Sequence, residues 1–119
     1  MARVALLCPD LLFGSKVEGT LGAAGHQVSR VDSVDAARYA AGESDLLVVD
    51  LTDPDVDGAG FIAEVKSKRE LDGLPALGFY SHVDQDTRRR AEEAGFDMVV
   101  PRSRMAREMA AIVDRLLTS

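Results

Sequence analysis

The sequence has a single cysteine, Cys8, and only two histidines, His26 and His82, which stand far apart. One thiol cannot build an internal disulfide framework, and it suits a reducing compartment. The two histidines share neither metal-ligand spacing nor a nucleophile partner, so neither is assigned a role. Nothing along the 119 residues reads as a linker, an internal repeat or a low-complexity tract, which predicts one domain over 1–119. That length can bury a real core without disulfides or a structural metal. The composition is that of a globular chain, neither disordered nor membrane-spanning. After Arg3, the run 4–8 is too brief for a secretory core. Ala5-Leu6-Leu7-Cys8 has the letters of a lipoprotein box but lies too near the start to follow a signal sequence. The expectation is a cytoplasmic protein with no membrane contact.

An excess of basic residues is missing too. Net charge is −6, which argues against general nucleic-acid affinity, because that depends on neutralising phosphates over an extended footprint. The distribution is uneven. Residues 43–57 carry six acidic side chains and no basic one, whereas Arg88, Arg89, Arg90, Arg102, Arg104 and Arg107 crowd the last third. These arginines read either as a solvated helix face or as a basic face on an acidic protein.

What is present is organised around the stretch 45–58. Residues 46–49 are continuously apolar and partly β-branched, with charge at both ends, the pattern of a short strand buried on both faces. Asp50 follows where that strand meets solvent. In open α/β sheets ligands bind at the carboxyl ends of strands, where the strand order reverses, so Asp50 is the leading candidate for a working group.

The remaining segments arrange themselves around it. Residues 4–7 form a first strand stopped at Cys8-Pro9. Phe13, Val17, Leu21 and Ala24 recur at helical spacing, closed by Gly25 and softened by Gly14, Gly19 and Gly22. A second strand spans 26–31, and Ser33 caps a helix through Ala41 that ends at Gly42. Phe61, Ile62 and Val65 mark a third helix. A fourth strand lies within 74–80, after which Ser81 and Asp84 form a variant capping box opening a helix through Ala94. Val83, Thr87, Ala91 and Ala94 are its expected inner face, with Asp84–Arg88 and Asp86–Arg90 pairs outside. Residues 98–100 make a fifth strand. From the cap Ser103 onward, Met105, Met109, Ile112 and Leu116 line a last helix. Strands alternating with helices imply right-handed crossovers and a parallel sheet covered on both faces.

In this order the chain resembles the receiver domain of two-component response regulators over nearly its whole length. Asp50, Pro54 and Asp57-Gly58 match the family's phosphoacceptor aspartate, loop proline and Asp-Gly helix start, and Ala94-Gly95 matches its small pair before the fifth strand. The resemblance implies a flavodoxin-like, doubly wound α/β fold with five parallel strands in the order 2-1-3-4-5 and five helices. It implies a signalling module and not an enzyme, with Asp50 as acceptor. It also implies a Mg²⁺ site using Asp50, the Thr52 carbonyl and an acidic pair after the first strand.

Departures fall on those working positions. Cys8 and Pro9 stand where the resemblance expects the acidic pair. Tyr80, with Ser81 next, stands at the phosphoryl-contacting Thr/Ser position. Arg102 replaces the lysine, preceded by Pro101 and followed by Ser103. Mg²⁺ demands an octahedral oxygen set, so binding is expected to be weak, with Asp10 or Asp53 as the available substitutes. Two readings follow. One is a pseudo-receiver acting by protein contact, with Arg102 reaching Asp50 as a two-pronged ion pair. The other is a phosphoacceptor-competent single-domain regulator phosphorylated on Asp50 by a histidine kinase. The sequence carries no attached output domain, so the expected partners are a histidine kinase or a downstream regulator. Family practice also places Arg88, Arg89, Arg90, Arg104 and Arg107 on an interaction face made of helix 4, strand 5 and helix 5, which implies a homodimer there.

Rival motifs remain. Asp53-Pro54-Asp55-Val56-Asp57-Gly58 with Glu64 matches a calcium-loop pattern, but a strand precedes it, and Gly60 stands at an apolar position. Gly58-Ala59-Gly60-Phe61-Ile62-Ala63 has the letters of a dinucleotide fingerprint, yet four nearby aspartates would oppose a pyrophosphate. Gly14-Ser15-Lys16 lacks the phosphate-loop order. Cys8 is expected to be buried and inert, and Tyr80 to pack with its hydroxyl satisfied locally. A small-ligand sensor is the third class, since flavodoxin-like sheets also host such binders.

Overall fold

Short runs, most of them largely apolar, become strands and the longer periodic segments between them become helices. In the computed structural model, which describes residues 1–118, these are β1 (Arg3–Leu7), α1 (Leu11–Ala23), β2 (Gln27–Val31), α2 (Val34–Ala41), β3 (Leu46–Asp50), α3 (Gly58–Ser67), β4 (Ala76–Tyr80), α4 (Gln85–Ala94), β5 (Met98–Pro101) and α5 (Arg102–Thr118). All pairings are parallel and the order is β2-β1-β3-β4-β5, so the flavodoxin-like doubly wound architecture is as expected.

Alternation along the strands divides the core. Val4, Leu6, Leu46, Val48, Leu77 and Phe79 face α1 and α5, meeting Val17, Leu21, Met105, Met109 and Ile112. Ala5, Leu7, Leu47, Val49 and Tyr80 face the other way, onto Ala37, Ala41, Phe61, Ile62, Val65 and Ala91. Every residue of β3 and of β4 is buried.

Two glycines allow close approaches. A Cβ on Gly14 would stand 2.6 Å from Arg30 Cδ, and one on Gly58 would stand 2.7 Å from Val49 Cγ1. α1 therefore forms despite its glycines, helped by Asp10, whose carboxylate accepts the amides of Leu12 and Phe13.

Several local expectations are corrected. β2 begins at Gln27 and β4 at Ala76, later than the patterns suggested. α4 is capped by Asp84, which accepts the Thr87 amide, whereas Ser81 only closes a turn through its carbonyl. Val83 lies in that turn and is exposed. α5 starts directly at Arg102, so Ser103 sits inside its first turn, and the helix breaks at Glu108 (φ −123°, ψ 16°). The expected Asp84–Arg88 and Asp86–Arg90 pairs are replaced. Arg88 meets Glu92, Arg89 meets Asp86, and Arg90 crosses to Asp57.

Candidate functional site

Asp50 ends β3 opposite Phe79 of β4, at the carboxyl end of the sheet where β1 and β3 diverge in chain order. It is 1% exposed and is the only fully buried charged residue among those described. A buried carboxylate needs donors. Oδ1 accepts both the Thr52 amide (2.8 Å) and the Thr52 hydroxyl (2.6 Å), while Oδ2 faces the Cys8 thiol at 3.5 Å. The thiol's single hydrogen is shared with the Asp10 carbonyl, also at 3.5 Å. Thr52 thus contributes its side chain, where the resemblance pointed to its carbonyl. An aspartate two residues before a threonine is an Asx-turn pattern, and that signal was available in the sequence.

Cys8 is completely buried, and its pKa is pushed up to about 12 by that burial, by the negative charge of Asp50 and by the hydrogen bond to it. The inert reading of Cys8 matches this geometry. The thiol donates to Asp50, and its soft sulfur is a poor match for a hard, oxygen-seeking cation such as magnesium.

Arg102 does not reach Asp50. Its guanidinium lies 3.7 Å from Asp10 and stacks over the Phe13 ring at 5.4 Å, and Phe13 in turn packs on Phe79 with ring centroids 4.9 Å apart. The expected two-pronged pair with Asp50 is therefore absent, because Asp10 and an aromatic face hold the cation first. Phe13, read in the sequence only as a helix core position, is the platform. Tyr80 is buried in the α2–α3–α4 half of the core and Ser81 is partly exposed in its turn, and neither hydrogen-bonds Asp50, whose partners are Thr52 and Cys8.

A magnesium ion requires about six oxygens, usually including one or two carboxylates. The donors here do not fit. Pro9 offers no side-chain ligand, Cys8 offers sulfur and not oxygen, and Asp10 is committed to the α1 amides and Arg102. Asp53 accepts the Asp55 amide. Among the described residues no three His, Cys, Asp or Glu side chains gather to hold an ion. The calcium-loop pattern is scattered for the same reason: Asp57 caps α3 through the Gly60 amide, and Glu64 pairs with Arg38.

The arginine face is also less basic than its letters suggest. Arg104 and Arg107 both meet Glu108, so each of Arg88, Arg89, Arg90, Arg104 and Arg107 already has a carboxylate in its own chain. No helix among the described residues is long and apolar enough to cross a membrane.

No protein-family model matches the chain and no curated protein matches it in sequence. Solved structures do match. The receiver domain of a signal-transduction histidine kinase from Syntrophus aciditrophicus superposes with a TM-score of 0.86 at 21% identity, over 99% of this chain and 91% of that one. A sensor histidine kinase receiver domain from Pseudomonas aeruginosa, solved with magnesium in its active-site cleft, gives 0.85 at 19%, over 99% and 98%. NtrX from Brucella abortus gives 0.83 at 19% over 98% of this chain, which spans only 27% of NtrX. The chain has the fold of response-regulator receiver domains.

Proposed function

We propose that the chain is a receiver-like signalling module, not an enzyme, which acts by protein contact and in which magnesium-dependent phosphorylation of Asp50 is impaired. The observation that carries this reading is the buried Cys8 thiol standing 3.5 Å from Asp50 Oδ2, where a cation-holding carboxylate is expected. Phosphoryl transfer is catalysed mostly by positioning and by neutralising developing charge on the oxygens. Asp50 keeps the acceptor carboxylate without that help. A cytoplasmic setting and a protein partner, a histidine kinase or a downstream regulator, suit such a module. The test is incubation with a small acyl phosphate and magnesium, read by intact mass. Unmodified protein is the expected result, and one phosphoryl group per chain, lost in Asp50→Asn, would overturn the proposal.

Retention of Asp50 at the carboxyl end of β3 favours a second reading, a regulator phosphorylated on Asp50 by a histidine kinase. Transfer from a phosphorylated kinase to the wild type but not to Asp50→Ala would support it. A homodimer through α4, β5 and α5 is the weaker reading of the partner, since the arginines there are already paired. Light scattering at high concentration decides: a salt-sensitive dimer supports it, and a monomer removes it.

A further inference from the structure

At the opposite end of the sheet from Asp50, the chain holds a histidine that the site does not use. His26 precedes β2, and its side chain is only 8% exposed. Its Nδ1 accepts the Ala2 amide at 3.2 Å, so the hydrogen of the neutral ring must sit on Nε2. Nε2 is fully buried and has no hydrogen-bond partner among the described residues. It points at Asp114 Oδ1 of α5, 3.7 Å away, beyond hydrogen-bond range but close enough for charge attraction. A buried donor left short of its acceptor requires an explanation.

The two ring nitrogens make incompatible demands. In the imidazolium both nitrogens carry hydrogen, so Nδ1–H would oppose the Ala2 N–H and that bond is lost. Nε2–H, now charged, gains Asp114. We propose that His26 is a proton-operated latch: neutral, it holds the residues preceding β1, and protonated, it releases them and draws in the C-terminal half of α5. Local construction permits both movements. The Arg3 amide is held by Asp45, so release is confined to Met1 and Ala2, and with Ala2 goes the carbonyl that accepts the Gln27 amide. The break at Glu108 separates the part of α5 that carries Asp114 from the part beside Asp10.

The charged groups around the ring define its balance. Asp114 faces it from α5, and the amino group of Met1 lies one residue from the amide it holds. A cavity of about 940 Å³ adjoins the ring, and across it Asp45 precedes β3, Asp97 precedes β5 and Lys66 ends α3. Asp45 and Asp97 are anchored on the amides of Arg3 and Ala76. From α1 the Leu21 carbonyl accepts the His26 amide.

Nuclear magnetic resonance on the full chain tests this. At high pH the His26 nitrogen shifts should report the Nε2–H tautomer. As His26 titrates, the protection factor of the Gln27 amide should fall about tenfold, reflecting loss of the Ala2 contacts. His26→Asn, whose side-chain oxygen can replace Nδ1 as acceptor, should keep Gln27 protected at every pH. An Nδ1–H tautomer at high pH, or a His26 titration that leaves Gln27 protection unchanged, would overturn the proposal.

Discussion

Replacing Cys8 by aspartate tests the site at its weakest point. The new carboxylate would stand about where the thiol now lies, 3.5 Å from Asp50 Oδ2. Two unit charges at that separation repel by about 5 kcal/mol at an effective dielectric constant of about 20. Protonating one of them caps the cost near pH 7 at about 4 kcal/mol, the free energy of holding a carboxyl neutral about three pH units above its ordinary pKa. For a domain of this size that corresponds to a melting temperature lower by about 15 °C. A divalent cation binding the restored pair should recover part of the loss, about 1.4 kcal/mol or 5 °C at tenfold excess over its dissociation constant. Thermal melts in chelator and in magnesium read both effects. The wild type, lacking the second carboxylate, should show no comparable magnesium shift. A Cys8→Asp protein that melts with the wild type in chelator, or a magnesium shift of equal size in both proteins, would refute the reasoning.

Other outcomes follow from the same coordinates. Gly19→Ala and Gly22→Ala should each raise stability by about 1 kcal/mol in denaturant titrations, because a Cβ at either position meets nothing within 4 Å; Gly14→Ala should lower it, since Arg30 would have to move. The Cys8 pKa rises from 9.0 to about 12 on folding, so stability is complete below pH 9.0 and is lost as pH climbs towards 12, where the unfolded thiol has ionised first. Cys8→Ala should flatten that alkaline decline relative to the wild type, and parallel declines would contradict the assignment. Arg69 has a left-handed backbone (φ 55°), so Arg69→Gly should stabilise by about 1 kcal/mol, measurable as a higher denaturation midpoint.

The fold was legible because its signals are local. The run 46–49 cannot be a half-exposed strand, and glycine at 25, 42 and 95 punctuates the helices where chain direction must change. The candidate site was legible for the same reason, since Asp50 closes an apolar run. Capping was less so. Ser81 and Asp84 are both good caps at workable spacing, and the choice fell to Asp84 because Thr87 places an amide and a hydroxyl on its carboxylate. The fate of the arginines was hidden, because Arg90 finds Asp57 across 33 residues and Arg102 finds Asp10 and Phe13 across the sheet. Charge runs in a sequence record side chains without their partners.

That distinction decides what surrounds Asp50. An Arg102–Asp50 ion pair would have fixed the site permanently in one charge state, with the cation doing the work of a phosphoryl contact. The structure instead parks Arg102 on Asp10 and Phe13 and surrounds Asp50 with neutral donors from Thr52 and Cys8. Neutral hydrogen bonds satisfy a buried carboxylate at about 1 kcal/mol each without cancelling its charge. Asp50 is therefore held by neutral donors alone, while the Arg102 charge is spent on Asp10 and the Phe13 ring. A cation placed at that end of the sheet would compete with Arg102 for Asp10.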